Sequence, residues 1–213
     1  QSSREDLFKT KIDEFIDAKG LAPEQKTLVL IFWNYFQELG TFNDRKPHPP
    51  EAPFILVTGD PGSGKSYAIE TVVHLASMMS AGTSVATSYN GIAAFNIDGQ
   101  TLCKTLSIDS SVGVHSKSDL SRDKLQELKM ALSPGTMCLF IVDEISTLDT
   151  PTVAMIDKRL KQLRQSELRF GGIAMMFVGD FNQLGPVQKV FIPKDTIEWA
   201  AHQINRDARN KKN

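Results

Sequence analysis

Apolar residues recur at helical spacing through residues 5–40 and predict two consecutive helices. Their apolar faces carry Phe8, Ile12, Phe15 and Ile16 in the first helix, and Leu28, Ile31, Phe32, Tyr35, Phe36 and Leu39 in the second. Pro23 suits the first turn of the second helix, where a backbone N–H has no helical partner to lose. Residues 43–53 then contain four prolines and predict an extended connector.

From residue 54 onward, short apolar runs alternate with helical patterns. The runs predict strands at residues 54–58, 84–87, 137–142 and 173–178, with helices after residue 64, around 125–132 and from Thr150-Pro151. The runs at 137–142 and 173–178 are apolar throughout, which is typical of strands buried on both faces. This alternation predicts an α/β fold with a mostly parallel sheet flanked by helices.

Length and composition narrow the class of protein. The 213 residues suffice for one substantial core but not for two full domains. The 24 basic and 25 acidic residues give a net charge of −1, so any nucleic-acid site must be argued locally. The apolar runs are too short for a membrane span, and the cysteines and histidines show neither a disulfide framework nor zinc spacing. We expect a reducing, intracellular setting and, because the chain begins at Gln1, a piece of something larger.

Residues 59–66, GDPGSGKS, match the phosphate-loop pattern G-x-x-x-x-G-K-[ST] in full. The alternative, a glycine-rich turn with a surface lysine, is disfavoured because the motif lies between a predicted strand and a predicted helix. The glycines let backbone amides face the phosphates, and the N-terminus of the following helix adds positive potential. Lys65 supplies a cation for the β- and γ-phosphates, and Ser66 supplies a ligand for Mg²⁺. The predicted nucleotide-binding residues here are Gly59, Asp60, Pro61, Gly62, Ser63, Gly64, Lys65, Ser66 and Tyr67.

An acidic pair, Asp143-Glu144, follows the predicted strand at 137–142. The carboxyl ends of parallel strands are where open α/β sheets bind ligands. Asp143 is predicted to hold Mg²⁺, largely through water, and Glu144 to activate the attacking water as a general base. A glutamate at this position, without an N-K-x-D guanine-binding signature, favours ATP hydrolysis over GTP hydrolysis.

A third polar segment, residues 179–187 (GDFNQLGPV), follows the strand at 173–178. Asp180 and Gln183 would lie beside the nucleotide if this strand neighbours the one that ends at Asp143. The Gln183 amide could then hydrogen-bond the γ-phosphate and respond to its loss. An ordinary Gly-Asp turn that leaves the sheet is an equally good interpretation of the spacing.

Taken together, these segments resemble the first RecA-like domain of superfamily 1 DNA helicases, in the branch that contains the petite-integration-frequency (PIF) helicases and RecD. GDPGSGKS resembles motif I, VDEIS (142–146) motif II, and GDFNQLGPV motif III. GIAAFNIDGQTLCKTL (91–106) is similar to motif Ia and its continuation, and LAPEQ (21–25) to the Q motif. The resemblance runs in order from about residue 21 to 187, with departures at Tyr89-Asn90, Cys103 and Gly185.

The resemblance implies a RecA-like P-loop NTPase fold at 54–203, preceded by a helical segment at 1–42 and a connector at 43–53, and followed by a basic tail at 204–213. It implies that Gln25 contacts adenine and that the catalytic residues are Lys65, Asp143, Glu144 and Gln183. Ser66 and Asp143 would be the metal ligands. The implied contacts with single-stranded DNA are Asn90, Gly91, Phe95 and Thr101, although a phenylalanine such as Phe95 is more often buried.

The implied function is the ATP-binding and hydrolysing motor domain of a 5′-to-3′ DNA helicase, monomeric and away from membranes, with ATP or ADP and Mg²⁺ as ligands. Helicases of this branch act in DNA repair, recombination and telomere maintenance, in the nucleus or mitochondrion of eukaryotes. The family's second RecA-like domain, with its arginine finger, would not fit in the 26 residues after Val187. We therefore expect weak DNA binding and poor activity from the isolated chain.

Two other classes of function remain open from the sequence. One is a nucleotide-dependent switch that recruits a protein partner without translocating, and the other is a stand-alone small NTPase or kinase. Separately, residues 158–169 carry five basic side chains, Lys158, Arg159, Lys161, Arg164 and Arg169. These could form a basic strip for DNA, but a solvated helix face is the commoner explanation and is favoured.

Overall fold

The computed structural model describes residues 2–41, 49–89, 100–108 and 119–180, with side chains from Thr10 onward. The helices are α1 (Ser2–Lys19), α2 (Pro23–Thr41), α3 (Lys65–Met78), α4 (Leu102–Leu106), α5 (Arg122–Leu132) and α6 (Thr150–Arg164). The strands are β1 (Phe54–Thr58), β2 (Thr83–Ser88), β3 (Gln100–Thr101), β4 (Met137–Asp143) and β5 (Ala174–Gly179). Short 3₁₀ helices occupy Ile145–Thr147 and Arg169–Gly172.

The helices and strands predicted from residue 54 onward are confirmed, with small changes in their bounds. β1 has the predicted bounds, and the helices begin at Pro23 and Thr150 as expected. β5 begins one residue later than predicted, because Ile173 caps the preceding 3₁₀ helix. The short elements β3 and α4 were not predicted, since the pattern of residues 91–106 gives no clear strand or helix period.

Among the described residues, the strands form one parallel sheet in the order β1-β5-β4-β2-β3. The final residues of β1 and β5 are partners, Thr58 with Gly179. Val142 of β4 pairs with β5, and Asp143 pairs with Ser88 of β2. The carboxyl ends of β1, β5 and β4 therefore lie close together at the same edge of the sheet.

Two apolar clusters cover the two faces of the sheet. The helices α1, α2 and α3 pack on one face and α4, α5 and α6 on the other. Successive residues of β5 alternate between the clusters, Met175 on the α6 side and Met176 on the α3 side, as strand geometry requires. Because Phe32 and Phe36 of α2 are part of the same cluster as α3, the N-terminal helices are integral to the core that supports the site.

Within the described part of the chain, no helix combines the length and the apolar character needed to cross a bilayer.

The basic residues at 158–169 have contacts within the protein. Lys158 forms an ion pair with Asp119 and Lys161 forms one with Asp157, both at 2.8 Å. Arg164 donates hydrogen bonds to the carbonyl oxygens of Pro134 and Gly135. The Arg169 guanidinium lies over the ring of Phe54. Arg159 is 4% exposed. The favoured solvated face is therefore wrong for Arg159, because it lies on the side of α6 that buries Ile156 and Leu160.

Candidate nucleotide-binding site

The phosphate loop connects β1 to α3, as the sequence predicts. Gly62 and Gly64 have φ values of 78° and 86°, in the left-handed region that favours glycine. Gly64 caps α3, and its carbonyl accepts the first helical hydrogen bond from the Ala68 N–H at 3.0 Å. A Cβ at Gly59 would lie 2.5 Å from Ser63 Oγ, so a larger residue there would displace the Ser63 side chain.

The Lys65 side chain folds back over the loop. Its Nζ donates hydrogen bonds to the carbonyl oxygens of Gly59 at 2.7 Å and Asp60 at 3.0 Å. An ammonium group has three donors, so one remains beyond these two contacts, while the neighbouring Ser66 is exposed. A cation held over a glycine loop at a helix N-terminus fits a nucleotide phosphate chain.

Asp143 and Glu144 form a tight turn at the end of β4. Asp143 Oδ1 accepts a hydrogen bond from the Glu144 backbone N–H at 2.8 Å. Glu144 has a φ of 57°, unusual for a residue with a side chain. Its carbonyl accepts hydrogen bonds from both the hydroxyl and the N–H of Thr147, at 2.7 and 3.0 Å. These bonds fix the backbone of Glu144 in this strained conformation.

Lys65 and Asp143 interact electrostatically. Burial raises the pKa of the Asp143 carboxyl, and the Glu144 N–H and the Lys65 ammonium each offset part of that rise. The phosphate loop and the acidic turn therefore belong to one electrostatic site, although they follow different strands. A half-buried carboxylate beside a phosphate loop also suits Mg²⁺, which prefers carboxylate and phosphate oxygens and would favour the ionised form.

Replacing Asp143 with asparagine is expected to stabilise the chain in buffer without nucleotide or metal. The amide oxygen can still accept the Glu144 N–H, but the cost of burying an ionised carboxylate disappears. Because the folded-state pKa is raised, this gain is present above that pKa and is lost as pH falls through it and Asp143 becomes neutral.

Thermal unfolding across a pH series measures this effect. We expect the Asp143→Asn variant to melt about 1–3 °C higher at pH 7, with the difference vanishing in acid. The same change at Asp13, an exposed residue of α1, is the control and should leave the melting temperature at pH 7 unchanged. A lower melting temperature for Asp143→Asn at pH 7 would contradict the burial argument.

β5 lies between the strand that precedes the phosphate loop and the strand that precedes the acidic turn. The predicted site required this strand to neighbour the one that ends at Asp143, and β5 does pair with β4, as well as with β1. Asp180 is buried, and a Cβ at Gly179 would lie 2.9 Å from Ile145 Cγ2 and 3.2 Å from its backbone nitrogen. β5 thus approaches the acidic turn very closely. Gln183 lies outside the described residues, so its role as a γ-phosphate sensor stays a prediction.

Gln25 reaches the phosphate loop from α2. Its Nε2 donates to the Gly64 carbonyl at 3.4 Å, across 39 positions of sequence. Its Oε1 accepts from the Ala22 N–H at 3.0 Å. The structure therefore places the glutamine of the Q-like segment against the loop that would hold the phosphates, while its contact with adenine stays a prediction.

Most residues predicted to contact DNA cannot be located. Asn90, Gly91 and Phe95 lie outside the described residues, as does the basic tail. Thr101 ends β3 at the outer strand of the sheet, where it pairs with Ser88, and its carbonyl accepts a hydrogen bond from the Thr105 hydroxyl at 3.1 Å. Its role toward DNA stays a prediction.

Two residues with clear structural roles at the site were missed by sequence reasoning. Thr147 holds the Glu144 carbonyl, and a threonine three residues after an acidic turn is a signal that could have suggested this bond. The backbone of Lys19 accepts a hydrogen bond from the Tyr67 hydroxyl at 2.7 Å. No local pattern indicates that contact, because the two residues are 48 positions apart.

Solved structures of known proteins share the fold of this chain. Among solved structures, the chain is similar to Pif1 helicase from Bacteroides in complex with ADP-AlF3 and single-stranded DNA, with a TM-score of 0.56 and 26% identity over 79% of this chain and 34% of that one. A structure of two coordinating Pif1 helicases at forked double-stranded DNA gives a TM-score of 0.58 at 27% identity, covering 79% of this chain and 35% of the other. The shared fold is RecA-like.

Curated relatives point to the same family. ATP-dependent DNA helicase RRM3 of Saccharomyces cerevisiae is 33% identical over 138 residues, covering 63% of this chain and 18% of that protein. Human ATP-dependent DNA helicase PIF1 is 34% identical over 141 residues, covering 63% and 20%. The chain thus spans about a fifth of these relatives. The family model described as PIF1-like helicase matches residues 47–202, most of the sequence, and the chain therefore belongs to the PIF1-like helicase family.

Proposed function

We propose that this chain is the ATP-binding and ATP-hydrolysing motor domain of a DNA helicase that translocates 5′ to 3′ on single-stranded DNA and unwinds duplexes. One observation carries the proposal. The phosphate loop and the acidic turn leave the sheet at the same edge, where burial raises the pKa of Asp143 and the Lys65 ammonium offsets part of that rise. Such a pairing of cation, carboxylates and backbone amides is what phosphoryl transfer requires.

Each residue of the site has a defined part in hydrolysis. The loop amides and Lys65 would bind the phosphates, and Ser66 and Asp143 would hold Mg²⁺, which when bound neutralises charge on the phosphates. Glu144 would accept a proton from the water that attacks the γ-phosphorus, so that the bond to the β-phosphate oxygen breaks and ADP leaves. Gln183 would hydrogen-bond the γ-phosphate.

Gln25 supports adenine as the base. Its amide makes two hydrogen bonds among the described residues, one as donor and one as acceptor. The Gln25 amide therefore still has one N–H to donate and one oxygen lone pair to accept a further hydrogen bond. That pair complements the N7 acceptor and N6 donor of adenine, whereas guanine presents acceptors at both positions.

The complete motor would require more than this chain. We propose that ATP binds between this domain and a second RecA-like domain of the same parent protein, which supplies an arginine finger worth about 10³–10⁵ in rate. The isolated chain, a monomer in this account, would then bind nucleotide weakly, hydrolyse it slowly and unwind nothing. Such a helicase would act inside the cell, in a eukaryote in the nucleus or mitochondrion.

Nucleotide should change the affinity of the chain for single-stranded DNA. We expect modest binding of a fluorescent oligonucleotide, shifted about fivefold or more by a non-hydrolysable ATP analogue with Mg²⁺. Fluorescence anisotropy with and without the analogue measures this, and the Lys65→Ala variant should show no shift. An absence of DNA binding under both conditions would contradict the helicase proposal and favour a switch that recruits a protein partner.

A further inference from the structure

The turn between α1 and α2, residues 19–22, is docked onto the start of α3. At its first residue, the Lys19 carbonyl accepts a hydrogen bond from the Tyr67 hydroxyl at 2.7 Å. At its last residue, the Ala22 N–H donates to Gln25 Oε1. We call this segment the 19–22 turn. Between these ends, Leu21 is buried in the core cluster.

Both ends of the 19–22 turn are connected to one turn of α3. Tyr67 holds the first end directly, and Gln25 connects the other end to the Gly64 carbonyl. Gly64 caps α3 and Tyr67 is three positions further on, so both lie within the first turn of that helix. The position of the Gln25 amide over the phosphate loop therefore depends on where α3 holds the 19–22 turn.

The side chain of Tyr67 is only partly buried, and its hydroxyl is held by the Lys19 carbonyl. The residue is 37% exposed. The Lys19 ammonium lies 6.0 Å from the ring centroids of both Tyr67 and Phe15, at the outer limit of a cation–π contact. The short hydroxyl bond to Lys19 is thus a more specific contact for the Tyr67 side chain than the cation–π approach.

The Gln25 amide lies close to the backbone of Gly64. A Cβ at Gly64 would lie 2.8 Å from Gln25 Nε2, so the amide nearly touches the loop backbone. A small displacement of the 19–22 turn would move the amide away from, or into, Gly64. The amide must keep one orientation to leave a donor and an acceptor toward a base.

We propose that Tyr67 is a positioning residue for base recognition, acting through the 19–22 turn to hold the Gln25 amide in its base-reading orientation. The inference rests on the proposed function, since it assumes that a nucleotide occupies the phosphate loop. It goes beyond that function by assigning adenine selectivity to a hydroxyl that need not touch the base.

Replacing Tyr67 with phenylalanine tests the inference, because only the hydroxyl is lost. We expect the affinity for Mg·ADP to fall about threefold to tenfold, the value of one net hydrogen bond, and the preference for ADP over GDP to shrink. Affinity for inorganic tripolyphosphate, which has no base, should stay unchanged. The matched control is Tyr89→Phe, the same change at another exposed tyrosine, at the end of β2. Titration calorimetry with the three ligands supplies the measurement.

A double-mutant cycle separates positioning from direct contact. If Tyr67 acts through Gln25, the Tyr67→Phe change should have no further effect on ADP affinity in a Gln25→Ala background. Additive losses, or an equal loss of tripolyphosphate affinity, would overturn the inference. ADP binding by the unsubstituted chain with no effect of Tyr67→Phe would refute the inference alone, whereas no ADP binding at all would refute the proposed function and the inference with it.

Discussion

Replacement of Glu144 by glutamine is expected to lower ATP hydrolysis by about 10²–10⁴-fold, the range for loss of a general base. The side chain keeps its size, but an amide cannot accept the proton of the attacking water. The backbone bonds that hold this residue in its left-handed conformation involve its N–H and carbonyl, which the substitution leaves in place. Nucleotide affinity should therefore stay within about twofold of the original value.

Single-turnover hydrolysis of trace radiolabelled ATP, with the chain in excess, gives access to the slow rate that we expect from one domain. Glu127→Gln on α5 is the matched control, because it makes the same change at an exposed glutamate that pairs with Lys124. Hydrolysis by Glu144→Gln at the rate of the control would exclude Glu144 as the base.

The Lys65→Ala substitution is expected to weaken Mg·ADP binding by about 10- to 100-fold, because hydrogen bonds to charged groups contribute about 1.5–3 kcal/mol. The variant should fold normally. Among the described residues, the Lys65 ammonium donates hydrogen bonds to the loop carbonyls of Gly59 and Asp60. Both of these residues are at least partly exposed to water. The Lys65→Ala substitution should thus lower the affinity for Mg·ADP and have little effect on the stability of the fold.

Displacement of a fluorescent ADP analogue measures the affinity, and thermal unfolding checks the fold. Lys124→Ala serves as the control, since it removes the same charge from a surface ion pair on α5 that contributes little to stability. Equal ADP affinities for the two variants would mean that Lys65 does not contact the phosphates and that the loop binds something else.

Local patterns were sufficient to predict the parts of the site that lie on single strands. The phosphate loop follows β1 and the acidic pair follows β4, because an apolar run and the polar residues after it are contiguous in sequence. The start of α6 was also predicted, from Thr150-Pro151, and in the structure Asp149 caps this helix.

Contacts between distant segments could not be predicted. The sequence left open whether β5 lies next to β4, since strand order depends on packing of the whole sheet. The two-residue strand β3 exists only through its pairing with Thr87 and Ser88. Arg159 is buried although Lys158 and Lys161 nearby in the chain are charged, because the helix turns it toward the core. The docking of Tyr67 on Lys19 likewise spans two separate helices.

The central claim is that the phosphate loop and the acidic turn form one Mg·nucleotide site. Calorimetric titration of the 213-residue chain with ADP, in the presence and absence of Mg²⁺, tests it most directly. The account predicts one ADP per chain, with binding strengthened by Mg²⁺ and that Mg²⁺ dependence removed by Asp143→Asn. Absence of ADP binding would contradict this claim. It would also be contradicted if Mg²⁺ strengthened ADP binding equally in the Asp143→Asn variant and in the unsubstituted chain.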